Sequence, residues 1–199
     1  MHVFFDLDRT IFDFETAENA GIQFLFKKYS SQLCMSEQEF KSTFKTVAQK
    51  YFDEYSQGIL TFDQQRRKRV WKIFEMNGIN LDEANVGLRF EEYWNAYEKN
   101  YLPFPDALPV FESLKKKNIP MGVITNGDSE NQRKKLNRAG ITDYFSVVVI
   151  SGECGYSKPD RRIFDHALKL CGEKSFSELL YVGDSLVHDI EPSVMLGLN

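Results

Sequence analysis

Asp6 and Asp8 stand one residue apart at the end of the apolar run Val3-Phe4-Phe5-Asp6-Leu7-Asp8. The run predicts a short buried strand. In extended backbone, residues i and i+2 point to the same side, so the two carboxylates are expected to converge on one point just beyond the strand's end. Such a pair suits Mg²⁺, a hard ion that takes oxygen ligands and is usually held by one or two carboxylates with substrate phosphate and water. Read alone, the same triplet is equally the pattern of a cap or a solvated turn.

Three further groups follow, each where a strand is predicted to end. Met121-Gly122-Val123-Ile124 runs into Thr125-Asn126-Gly127; Lys158-Pro159 follows the apolar stretch Val147 to Ile150; Leu179-Leu180-Tyr181-Val182 runs into Gly183-Asp184-Ser185, with Asp189 beyond. Singly these read as a turn, a solvated lysine and a helix cap. In this order they resemble the four motifs of the haloacid dehalogenase (HAD) superfamily of phosphotransferases, and the resemblance spans essentially the whole chain.

The resemblance implies a phosphatase working through an aspartyl-phosphate. Asp6 would be the nucleophile, and Asp8 would protonate the leaving alkoxide and then deprotonate the attacking water. The hydroxyl of Thr125 and the amides of Asn126 and Gly127 would bind phosphate oxygens, while Lys158 would neutralise charge and hold Asp6. The implied metal set is Asp6, Asp8 through its backbone carbonyl, Asp184 and, behind it or as a more distant ligand, Asp189. The dehalogenases that name the superfamily lack an aspartate at the position of Asp8, because a departing halide needs neither protonation nor metal. Arg9 departs from the commonest pattern, which has glycine after the second aspartate; we expect it at the surface or the rim of the site.

The elements that must position these residues alternate strand and helix. After the first strand, strands are predicted over Met121 to Ile124, Ser146 to Ile150 and Leu179 to Val182, and helices over Ala107 to Lys117, Ser129 to Ala139, Asp160 to Leu170 and Glu191 to Gly197. Alternation of this kind implies an α/β domain, a Rossmann-like parallel sheet with helices on both faces that binds ligands at the carboxyl edge. From Glu15 to Tyr101 no strand is predicted. Ser36-Glu37-Gln38-Glu39 and Thr61-Phe62-Asp63-Gln64 fit the capping box that opens a helix. Phe40, Phe44, Val47, Tyr51 and Tyr55 form one helical stripe, with Val70, Trp71, Phe74, Phe90, Trp94, Tyr97 and Tyr101 as partners. We therefore expect residues 1–14 and 102–199 to form the catalytic core and residues 15–101 an inserted helical-bundle cap, with Pro103 and Pro105 marking the return.

A formal net charge of −4 over 199 residues argues against a nucleic-acid polymer as partner. No apolar run approaches the length of a membrane span or forms a signal core, so a cytoplasmic protein is expected, as a monomer or weak dimer. Cys34, Cys154 and Cys171 are widely spaced and read as reduced thiols. Within the superfamily, Ile124-Thr125-Asn126-Gly127, Lys158-Pro159-Asp160, Gly58-Ile59-Leu60-Thr61 and Arg69 resemble the bacterial pyrimidine 5′-nucleotidase branch. The expected substrate is accordingly a small phosphorylated metabolite, a nucleoside 5′-monophosphate first. The alternatives are a sugar phosphate, or a non-catalytic protein that binds a phosphorylated ligand or a protein partner. The same resemblance implies a further strand and helix beyond the fourth motif, where this sequence ends at Asn199.

Overall fold

The computed structural model describes residues 1–198 and divides into two compact units, Met1–Phe14 with Leu102–Asn199, and Glu15–Tyr101. The first unit is built on a parallel sheet of β1 (His2–Phe5), β2 (Met121–Thr125), β3 (Phe145–Ile150) and β4 (Leu179–Val182), in the order β3-β2-β1-β4. In register, Val3 lies opposite Met121 on one side and Leu180 on the other. β1 is central and every residue in it is buried, as expected for a near-continuous apolar strand in a parallel sheet.

Four helices, α1 (Phe14–Tyr29), α2 (Glu37–Ser56), α3 (Phe62–Met76) and α4 (Glu83–Asn100), precede five shorter ones of the sheet unit. These are α5 (Ala107–Lys116), α6 (Ser129–Arg138), α7 (Ser151–Cys154), α8 (Arg161–Cys171) and α9 (Glu191–Leu196). Successive strand residues point to opposite faces. Phe4 packs in a cluster with Ile163, Phe164 and Ala167 of α8, whereas Phe5 meets Phe111 of α5 edge-on with ring centroids 5.5 Å apart. Helices therefore cover both faces of the sheet. The chain leaves and re-enters this unit on paired backbone: Asp13 N–H donates to Leu102 O at 3.0 Å, and Phe104 N–H to Ile11 O at 2.8 Å.

In the second unit both predicted capping boxes form, with Ser36 and Glu39 exchanging bonds at the start of α2 and Thr61 and Gln64 at the start of α3. Each such cap contributes about 1 kcal/mol. Phe40, Phe44, Val70 and Phe74 are fully buried, and Phe44 stacks on Tyr93 at 5.1 Å. Trp71 departs from expectation: it is 38% exposed, because the buried Val70, Ile73 and Phe74 turn the inward face of α3 away from it. The basic run of α3 is engaged locally. Arg67 pairs with Asp63 at 2.7 Å, Arg69 bonds Gln65, and the Arg66 guanidinium lies 3.9 Å from the Trp94 ring centroid. No described helix is long and apolar enough to cross a membrane.

Gly122 shows how tightly β2 meets β1. A Cβ there would lie 2.3 Å from Cε1 of the fully buried Phe4 ring. Gly122→Ala should cost ~1–3 kcal/mol through overpacking and lower the midpoint of thermal unfolding by several degrees; an unchanged midpoint would show that the core yields here.

Candidate active site

Asp6 begins where β1 stops. Its N–H still donates to Val182 O at 2.9 Å, so its Cα is held against the last residue of β4. The chain then folds on itself as the carbonyl of Leu7 accepts from Thr10, Ile11 and Phe12. Arg9 takes φ = 67°, the left-handed region that glycine enters most easily, so the departure from glycine is carried at a backbone cost of roughly 1–2 kcal/mol. Its guanidinium rests 4.6 Å from the Phe14 ring centroid.

This turn changes the relation between the two aspartates. The strand ends at Phe5, so the alternation that would aim Asp6 and Asp8 at one point does not extend to them. Asp6 faces Lys158, Nζ donating to Oδ1 at 2.7 Å. Asp8 is held elsewhere, by Lys135 Nζ at 2.8 and 3.0 Å and by Gln132 Nε2 at 3.1 Å. The carboxylates that do gather are those of Asp6, Asp184 and Asp189, each with an oxygen within 4.8 Å of the others. The Asp8 carboxylate is not among them, and a role for Asp8 through its backbone carbonyl is a separate matter.

Lys158 is the hub. Its side chain is 3% exposed, and its three protons go to Asp6 Oδ1 at 2.7 Å, Asp189 Oδ1 at 2.6 Å and the Tyr181 hydroxyl at 2.9 Å. Tyr181 OH in turn lies 3.0 Å from both Ile124 O and Asp189 Oδ1, to one of which it donates. Asn126 fixes the backbone of Lys158 from β2's end: its Oδ1 accepts from Lys158 N at 2.7 Å and its Nδ2 donates to Lys158 O at 2.9 Å. Asp189 reaches inward because residue 183 is glycine; a Cβ there would fall 2.5 Å from Asp189 Cγ. The N–H of Ser185 donates to Asp189 Oδ2 at 3.0 Å, closing the π-helical turn over Leu186–Ile190.

Thr125, 1% exposed, closes β2 and accepts from Gln132 Nε2 at 2.8 Å. Gly127, with φ = 147°, gives its N–H to Ser151 Oγ at 2.9 Å, so that amide is already used within the protein. A Cβ at Gly152 would sit 2.8 Å from Gly127 O, which explains how α7 can pack so close to this loop. Gln132, Lys135, Tyr181 and Ser151 are the residues here that sequence reasoning passed over. Only their contacts in space identify them, Gln132 with Thr125, Lys135 with Asp8, Tyr181 with Lys158 and Ser151 with Gly127.

Three carboxylates against one buried ammonium leave this pocket net negative. Burial, followed by repulsion from Asp189 and Asp8, pushes the Asp6 carboxyl up to about 6 against the opposing pull of Lys158. Burial and the charge of Asp189 also raise Asp184, partly offset by Arg9. Burial opposes the charge on Lys158, but Asp6 and Asp189 together outweigh it and raise its pKa. Oxygen donors, close spacing and excess negative charge fit a hard divalent cation.

Fold and site thus describe an acidic centre, braced by one buried lysine, at the carboxyl edge of a parallel α/β sheet. A family model for haloacid dehalogenase-like hydrolases matches residues 1–193, and the chain belongs to that family of enzymes. It is 32% identical to pyrimidine 5′-nucleotidase YjjG of Escherichia coli over 196 residues, covering 98% of this chain and 82% of that one. It is 38% identical over 96 residues to the glyceraldehyde 3-phosphate phosphatase of Methanopyrus kandleri, 48% of this chain and 41% of the relative. The crystal structure of the HAD-hydrolase YfnB of Bacillus subtilis bound to magnesium superposes with a TM-score of 0.82 at 25% identity, covering 100% of this chain and 86% of that one.

The raised Asp6 carboxyl sets a pH dependence for cation binding. A metal binds the ionised form, so protonation competes with it. Calorimetric titration with Mg²⁺ should show affinity constant above neutrality and falling by up to ~10-fold per pH unit below about 6, and Asp184→Asn should weaken binding at every pH. An affinity indifferent to acid would place the cation away from Asp6.

Proposed function

We propose that this protein is a Mg²⁺-dependent phosphomonoesterase of the cytoplasm, acting on nucleoside 5′-monophosphates through an aspartyl-phosphate on Asp6. The observation that carries the reading is the gathered set of buried Asp6, Lys158 and Asp189 with the exposed Asp184, a carboxylate nucleophile beside fixed positive charge and cation ligands.

Lys158 holds Asp6 Oδ1, which leaves Oδ2 as the attacking oxygen. As Oδ2 bonds to phosphorus, the bond from phosphorus to the ester oxygen breaks and its electron pair stays on that oxygen, which takes a proton from the Asp8 carboxyl. Water then attacks the same phosphorus, giving its proton to Asp8 while the bond to Asp6 breaks and phosphate leaves. The Thr125 hydroxyl binds an oxygen of the transferring group, and Lys158, its protons held by Asp6, Asp189 and Tyr181, places fixed positive charge beside the oxygens where charge accumulates. Asp6, Asp184 and the carbonyl of Asp8, with Asp189 behind them, would hold Mg²⁺, whose chemistry there would be positive charge for those oxygens. Asn126 serves by fixing the Lys158 backbone, and Gly127 by joining that loop to Ser151.

The helical unit, residues 15–101, is proposed as the cap that selects the alcohol half of the ester and excludes water. Identity to the E. coli pyrimidine 5′-nucleotidase over nearly the whole chain supports nucleotides. A sugar or triose phosphate is the second reading, supported by the higher identity to the archaeal glyceraldehyde 3-phosphate phosphatase over about half the chain.

Phosphate release from a panel of nucleoside monophosphates, hexose phosphates and triose phosphates tests both. The expected result is the highest kcat/KM for a pyrimidine 5′-monophosphate, turnover abolished by a chelator, and a loss of ~10³-fold or more in Asp6→Asn. A clear preference for hexose or triose phosphates would select the second reading. Full activity in Asp6→Asn would reject the aspartyl-phosphate.

A further inference from the structure

Lys135 lies on α6, outside every motif, yet its ammonium bonds both carboxylate oxygens of Asp8. It is 2.8 Å from Oδ1 and 3.0 Å from Oδ2, and its side chain is only 14% exposed. Gln132, one turn earlier on the same helix and 2% exposed, donates to Asp8 Oδ2 and to Thr125 Oγ1 through one amide nitrogen. Helical spacing explains the pairing, since residues three apart share a face. The start of α6 is fixed by Asp128, whose Oδ1 accepts from Asn131 N at 3.1 Å.

Asp8 depends on this helix for its direction. It follows the turn at Leu7 rather than a strand, so no sheet pleat sets its side chain. A proton donor must be aimed, and its worth falls quickly with misplacement. The Lys135 ammonium, bonded to both oxygens of Asp8, fixes that direction.

We propose that Lys135 is a positioning residue for Asp8, holding its carboxyl in the direction from which the ester oxygen is protonated. The proposal rests on the phosphatase reading above. It assigns to Lys135 a part in breaking the ester bond, distinct from the part of Lys158 in holding Asp6.

Leaving-group dependence separates this from a structural role. Proton donation matters when the departing oxygen is strongly basic, as in an alkyl phosphate, and little when it leaves as a stabilised nitrophenolate. The readout is kcat/KM, which reports the steps through transfer to Asp6 and is unaffected by the later hydrolysis. Wild type, Lys135→Met and Lys135→Arg are compared on a nucleoside 5′-monophosphate and on p-nitrophenyl phosphate. Lys135→Met should lose roughly 10- to 100-fold on the nucleotide and less than about 3-fold on the aryl ester, and Lys135→Arg should recover most of the nucleotide loss. Equal losses on both esters, or no loss on either, would overturn the proposal. Failure of the phosphatase reading itself would show earlier and differently, as a folded wild type that turns over neither ester, and would remove the role with it.

Discussion

A single ammonium, that of Lys158, ties the carboxyl ends of the strands together. Burying an unpaired charge is costly, and a lysine 3% exposed is tolerable only because each of its protons has a partner. Those partners come from separate parts of the chain: Asp6 from the end of β1, Tyr181 from β4 and Asp189 from the turn after it. Asn126, at the end of β2, grips its backbone from the other side. Removing one carboxylate would leave the rest of this set unbalanced, at a cost of roughly 3–5 kcal/mol for a buried pair. The group that organises the site is therefore also part of what holds the sheet edge together.

The same balance accounts for the electrostatics. Burial first, and then carboxylate charge that Lys158 does not fully neutralise, keep Asp6 and Asp184 above their usual range, while Asp6 and Asp189 hold Lys158 charged. The hydroxyl of Tyr181, pushed well above its ordinary pKa by burial and then by the charges of Asp6 and Asp189, stays protonated and acts only as a hydrogen-bond relay. The excess negative charge is what a cation would answer.

Much of this was legible in the sequence, and the reasons differ by residue. Strands announced themselves as apolar runs, and Asp6, Thr125 and Asp184 were visible because each follows such a run. The capping boxes at Ser36 and Thr61 are local patterns and formed as read. What sequence could not show are partnerships across the chain. Lys135 meets Asp8 across 127 residues, and Tyr181 looks like one more apolar strand position until its hydroxyl is found against Lys158. The strand alternation expected to aim Asp6 and Asp8 does not reach them for a different reason: the backbone leaves the sheet at Phe5, and a turn held by the Leu7 carbonyl replaces the pleat. Trp71 lies outside the interior because Ile73, absent from the expected stripe, is buried with Val70 and Phe74 and centres the inward face of α3 away from it.

β4 lies at one end of the sheet and pairs with β1 alone among the described strands. Around it Val182, Leu186, Val187, Val194 and Met195 are exposed apolar side chains. An end strand with little covering it ordinarily has the least to hold it, and is where local opening begins. Here that strand carries Tyr181 and leads to Asp184 and Asp189, so loosening it would take away two of the three gathered carboxylates while leaving Asp6 just beyond β1 and Thr125 at the end of β2. The bonds from Lys158 to Tyr181 and Asp189 oppose that loosening from the inside, as does the N–H of Asp6 on Val182 O. Any cation bound between Asp6 on the inner strand and Asp184 beyond the end strand would bridge the same seam. Binding of a cation there would then favour the closed edge to the extent that it prefers the folded site.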